Sequence, residues 1–76
     1  MKEYVQLSMA QKARLKASPC FLCKSTKLAV VKDCLTTDES KFFYYVECQY
    51  KECFIVGYAG ETIQQAIDLW IKENNN

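Results

Sequence analysis

Residues 18–25 read "SPCFLCKS" and residues 46–54 read "VECQYKECF". The first stretch holds Cys20 and Cys23 with two residues between them, and the second holds Cys48 and Cys53 with four. Four sulfurs in two pairs can be a metal site, two disulfide halves, a redox pair or plain buried hydrophobes, and the choice decides the fold. A chain of 76 residues makes one domain. A domain of that size buries only roughly 60% of the surface its unfolded chain exposes, so a hydrophobic core alone leaves it marginal. It needs a staple, and five cysteines point to disulfides or a structural metal.

Between the pairs, "LAVVKDCL" over 28–35 is β-branched and apolar and predicts a strand. "TTDES" over 36–40 has turn chemistry, and "KFFYYVEC" over 41–48 predicts a second strand. Its alternation places Phe42, Tyr44 and Val46 on one face, with Phe43, Tyr45 and Glu47 on the other. The two strands make a hairpin, and "FIVGYA" over 54–59 predicts a third strand, with Gly57 marking a bulge. The hairpin returns the chain toward its start, so a knuckle before the first strand can face one between the second and third. Four sulfurs then surround one point, which is the geometry of a zinc ribbon.

The chain around this ribbon reads as two helices. Thr62 and Gln65 match a capping box, and Ile63, Ala66, Ile67, Trp70 and Ile71 recur at helical spacing as one apolar face, with Trp70 in the core. Gly60 supplies the joint before this C-terminal helix. Residues 3–17 are rich in helix formers, with Val5, Met9 and Ala13 on a thin apolar face, until Ser18-Pro19 stops the helix. The expected fold is a small α+β zinc ribbon: a three-stranded antiparallel sheet, a C-terminal helix packed on it, and an N-terminal helical extension. The expected division is 1–17 for the extension and 18–76 for the ribbon domain.

The chain has no histidine, so a structural zinc site must use four cysteines or recruit a carboxylate, and the expected site is one Zn2+ bound by Cys20, Cys23, Cys48 and Cys53 as four thiolates. Iron can also fill a four-thiolate site, but the second pair lacks a tight rubredoxin-like knuckle. A thioredoxin-like redox pair calls for a βαβ setting, and a hairpin follows Cys23 instead. Cys34, in the middle of the first strand, reads as a small buried hydrophobe. There is no glycine-rich phosphate loop and no nucleophile with an obvious base, and a metal closed by four protein ligands leaves no position for substrate. The expectation is a binding protein with no enzymatic activity.

Charge narrows the partners. The formal net charge is +1; four thiolates and one divalent ion shift it by two units, to −1. Neither value is the clear cationic excess of a sequence-blind nucleic-acid binder. The charge is uneven: residues 1–32 hold seven Lys and Arg against Glu3 alone, while residues 33–76 hold eight acids against Lys41, Lys51 and Lys72. No run approaches the roughly 20 apolar residues of a membrane span, and "MKEYVQLSMAQKARLKAS" lacks a secretory pattern. The expected setting is the reducing cytoplasm, where spaced cysteines serve as ligands more often than as disulfides. The aromatics of 42–45 are expected to be core on one face and covered by the N-terminal helix on the other. Left open, the outward face can serve a protein interface or stack on bases.

The arrangement resembles the Lar-like restriction alleviation proteins of phages and prophages, small zinc ribbons with a "PCPFCGS" knuckle, an aromatic strand ending in "C-x-x-C-G", and an "EAIxxWN" helix. Here "SPCFLCKST" carries Pro19, Cys20, Cys23 and Ser25, "YYVEC" the aromatic strand, and "QAIDLW" the residues Ala66, Ile67 and Trp70. The resemblance covers residues 18–73. Lys24 and Phe54 stand where the family has glycine, which there favours a left-handed turn that aims backbone N–H groups at the sulfurs. The second knuckle is two residues longer, and Ile71 replaces the family's asparagine. The resemblance implies a phage-type protein in the host cytoplasm that modulates a host defence or gene-expression machine by binding a host protein. A nucleic-acid-binding or transcription-associated ribbon is the alternative.

Overall fold

The computed structural model describes residues 2–35, 38–51 and 53–74, and of residues 35 and 38–40 the backbone alone. Chain order is β1 (Glu3–Tyr4), α1 (Met9–Lys16), β2 (Leu28–Leu35), β3 (Asp38–Cys48) and α2 (Ile63–Asn74). The expected α+β class holds, with a three-stranded antiparallel sheet in the order β1-β2-β3 and a C-terminal helix.

The hairpin has Val30 opposite Val46 and Leu28 opposite Cys48. Because side chains alternate across a strand, these four share one face. Val30, Val46 and Cys48 join Leu15, Cys20, Ile67 and Trp70 in the core. The expected turn over 36–40 is shorter than its composition suggested: β3 begins at Asp38, which pairs with Leu35, and residues 36 and 37 lie outside the described residues.

The third strand is not the expected one. Residues 54–59 run beside β3 but form isolated bridges, Val56 with Glu47 and Gly60 with Tyr44. The backbone bonds Gly57 N to Val46 O (2.8 Å) and Cys48 N to Ile55 O (2.9 Å) hold the segment in place. The offset between the two bridges leaves one extra residue on the 56–60 side, so the pairing is irregular within this stretch, where a bulge at Gly57 was expected. Packing explains why glycine stands there: a Cβ on Gly57 would lie 2.9 Å from Cε3 of Trp70. Gly60 is equally constrained, since its Cβ would meet Cβ of Gln65 at 2.8 Å. It is a close-approach position rather than a loose joint.

The third strand of the ladder is instead β1, with Glu3 opposite Lys32 and Tyr4 opposite Val31. Residues 3–8 are therefore not helical, and the expected extension contributes to the sheet. The helix starts at Met9, six residues later than expected, because Ser8 caps it. Gln11 N–H donates to Ser8 Oγ (3.2 Å) and Ser8 N–H to Gln11 Oε1 (2.9 Å), a complete capping box. Met9 is 88% exposed, and Leu15 is the α1 residue that enters the core.

α2 covers the hairpin with Ala66, Ile67 and Trp70. Thr62 Oγ1 accepts from Gln65 N–H (3.1 Å), as the capping pattern predicts, while Gln65 Oε1 accepts from Glu61 N–H (2.8 Å). Arg14 of α1 pairs with Asp68 of α2, so α1 lies against the same layer as α2. Among the described residues no helix covers the opposite sheet face. There Phe43 and Tyr45 stack with centroids 6.0 Å apart, and the expected cover by the N-terminal helix is absent. A polar cluster closes part of that face. Glu47, 6% exposed, accepts from Lys2 Nζ (2.7 Å), Gln49 Nε2 (2.7 Å) and Tyr4 Oη (3.2 Å).

Candidate metal centre

The first knuckle is a tight local turn. Lys24 N–H donates to Cys20 O (2.8 Å), and Cys20 N–H donates to Ser25 O (3.0 Å), so residues 20–25 fold back on themselves. The second knuckle is wider, closed by Cys53 N–H to Tyr50 O (3.0 Å); Glu52, in its spacer, lies outside the described residues. Gln49 N–H donates to Lys27 O (2.7 Å) and ties the two turns together at the end of the hairpin. From the other side, Trp70 Nε1 donates to Ser18 O (2.9 Å), and Asn74 Nδ2 donates to Ser18 O (3.2 Å) and Pro19 O (3.1 Å). Helix α2 thus grips the two residues that precede Cys20.

These constraints bring the Sγ atoms of Cys20, Cys23, Cys48 and Cys53 within 4.8 Å of one another. Cys20 lies 3.7 Å from Cys53, and Cys23 lies 3.5 Å from Cys48. Four sulfurs about 2.3 Å from a central ion in a tetrahedron stand about 3.8 Å apart, so the cluster has the size of a four-thiolate site. All four are free thiols. Cys20 and Cys48 are buried and Cys23 and Cys53 half-buried. Cys34 stands outside this group, half-buried on β2.

The backbone prepares the cluster for negative charge. At Cys20, burial opposes ionisation, but N–H groups of Cys23 and Leu22 and the thiols of Cys23 and Cys53 outweigh it, bringing the thiol down to about 7. At Cys48, burial dominates and, with neighbouring thiols, pushes the group up to about 12 against the N–H of Tyr50. At Cys53 the N–H of Ile55 favours the thiolate, but burial and the Cys20 and Cys23 thiols raise it overall. Four sulfurs packed this closely cannot all ionise without a cation among them. A divalent ion removes that conflict, so the donor set fits a metal.

Lys24 and Phe54, which follow Cys23 and Cys53, both adopt left-handed backbone: φ is 64° at Lys24 and 50° at Phe54. They are the non-glycine residues with positive φ among the described residues. Phe54 sits between Cys53 and Ile55, whose N–H reaches the Cys53 sulfur. The turn that glycine favours is therefore formed here by side-chain-bearing residues.

Sequence reasoning identified the four clustered cysteines, Trp70 and the α2 face. It missed Asn74, whose contact with the knuckle has no spacing signal, and the Glu47 cluster, which depends on where β1 pairs. No helix among the described residues is long and apolar enough to cross a membrane. Comparison with protein-family models, curated proteins and solved structures found no match.

Proposed function

We propose that Cys20, Cys23, Cys48 and Cys53 hold one structural Zn2+, and that the protein is a zinc-ribbon module that works by binding another protein and performs no chemistry. The four-sulfur cluster, all within 4.8 Å, carries this reading. Thiolate ligands suit zinc or iron, and zinc is the choice for a site that closes all four positions and serves the fold. The resemblance to Lar-like proteins supports a partner in a host restriction-like or gene-expression machine, met in the cytoplasm of an infected cell.

Elemental analysis of purified protein should find one zinc per chain, and excess chelator should abolish its circular-dichroism signal. Structural zinc contributes on the order of 10–16 kcal/mol of apparent binding free energy, which rivals the ~5–15 kcal/mol net stability of ordinary domains. Cys48→Ser should lose the metal and Cys34→Ala should keep it. A metal-free protein whose spectrum ignores chelator refutes the proposal. The second reading, a nucleic-acid-binding ribbon, is favoured by one observation: the helix-free face bearing Tyr4, Phe43 and Tyr45 beside Lys2. A salt-sensitive gel shift with single-stranded DNA or RNA, and no captured host protein, would select it.

A further inference from the structure

β1 bonds to β2 only as far as Val5, whose N–H donates to Val30 O (2.9 Å). The arm then leaves the sheet for the Ser8 cap of α1, and the beginning of β2 has no partner strand on that side among the described residues. The space between arm, helix and strand edge is an open groove of about 400 Å³. Its walls are mostly aliphatic, Val5, Leu7, Leu15, Leu28 and Ala29, with Gln6 and Thr26 among them. Lys12 and Lys16 of α1 stand along its rim, four residues apart and so on one side of the helix. Among the described residues that line it, none is acidic and none is aromatic.

We propose that this groove docks an acidic peptide segment of a partner protein, with apolar side chains seated on Val5, Leu7 and Leu28 and carboxylates facing Lys12 and Lys16. It rests on the reading of the domain as a protein-binding module and names the surface and the class of partner. Charge complementarity chooses the occupant. Arg14 on the same helix is engaged by Asp68, whereas Lys12 and Lys16 form no ion pair among those described. Cations bordering an aliphatic floor fit a segment that brings both acids and apolar anchors. A nucleic acid would meet no ring here on which to stack a base, and its phosphates gain nothing from Leu15 or Leu28.

The test is fluorescence anisotropy on the zinc-loaded full chain with a labelled peptide composed of Asp, Glu and Leu. A matched peptide with Lys for the acids and a single-stranded oligothymidylate serve as competing probes. The acidic peptide should bind selectively, and it should shift the amide resonances of Leu7, Leu15, Thr26 and Leu28. Lys12→Glu/Lys16→Glu should weaken it about tenfold or more, since two attractive contacts become repulsive, with metal content and melting unchanged. Leu7→Ser should weaken it without altering its salt dependence. Absence of peptide binding, equal binding of the basic peptide, preference for the oligonucleotide, or indifference to the double charge reversal each overturns the proposal. Pull-down from host lysate separates its failure from that of the parent reading. A host protein captured equally by wild type and the charge-reversed variant removes the groove and keeps the binding module, whereas capture of nucleic acid alone removes both.

Discussion

Lys24→Gly and Phe54→Gly should make the zinc-loaded protein more stable, against the usual effect of adding glycine. Both residues are held at positive φ, 64° and 50°. A left-handed conformation costs an L-residue roughly 1–2 kcal/mol. Glycine escapes that cost but loses more freedom on folding, by roughly 0.5–1 kcal/mol. The difference leaves a gain of up to about 1.5 kcal/mol at each site, with a midpoint of ~0.75 kcal/mol. Little packing is lost at Phe54, whose side chain is 61% exposed, and Lys24 is exposed as well. In a domain of this size 1 kcal/mol moves the melting temperature by about 4–8 °C. The assay is thermal and urea unfolding at fixed free zinc, because metal concentration itself shifts apparent stability. Lys27→Gly is the control: it lies between the first knuckle and β2 without positive φ and should lose about 0.5–1 kcal/mol. If the two knuckle variants melt at or below wild type, as the control does, the left-handed knuckles are wrong, and with them the account of how N–H groups reach the sulfurs.

Two other perturbations test the packing and the open face. Gly57→Ala places a methyl group 2.9 Å from the Trp70 ring and should destabilise by about 1–3 kcal/mol; an unchanged urea midpoint would show that the segment after Cys53 does not press on α2. Glu47 is held below its ordinary 4.5: burial pushes it up, but Lys2, Gln49 and Tyr4 outweigh burial. A depressed carboxylate stabilises the fold above its unfolded value and loses that contribution as pH falls through the folded one. A carboxyl carbon NMR titration should therefore place the Glu47 midpoint below 4.5 and higher in Lys2→Gln, and equal midpoints would mean that β1 does not bring Lys2 to Glu47.

The metal-type cluster was legible because a knuckle is a local object: its spacing alone limits where two sulfurs can go. α2 was legible for a similar reason, as an apolar stripe at helical spacing can serve one surface. The N-terminal segment was harder. Its helix-forming composition from Glu3 onward hid the stronger signal, the Ser8–Gln11 capping box, which sets the start of α1. Once residues 3–4 are freed from the helix they can pair with β2, yet two residues carry no periodicity. The segment 54–59 has strand composition but lies against Trp70, with no room for a Cβ at 57, and makes isolated bridges to β3 in place of a ladder. In both places a tertiary contact overrode a local preference.

The grip of α2 on the first knuckle has a consequence for how the chain finds its fold. Trp70 and Ser18 are 52 residues apart in sequence, a long loop to close for one indole hydrogen bond. The sulfur pairs span less, 25 residues from Cys23 to Cys48 and 33 from Cys20 to Cys53. A metal that joined the four sulfurs would offer a shorter path, from Ser18 to Cys20, across the ion, and from Cys53 to Trp70. The loop left for the helix to close would fall to about 20 residues, lowering its closure entropy by roughly 0.8 kcal/mol. An ion at the knuckles would thus lower the effective contact order of the domain, turning one of its longest-range contacts into the closure of a loop of about 20 residues.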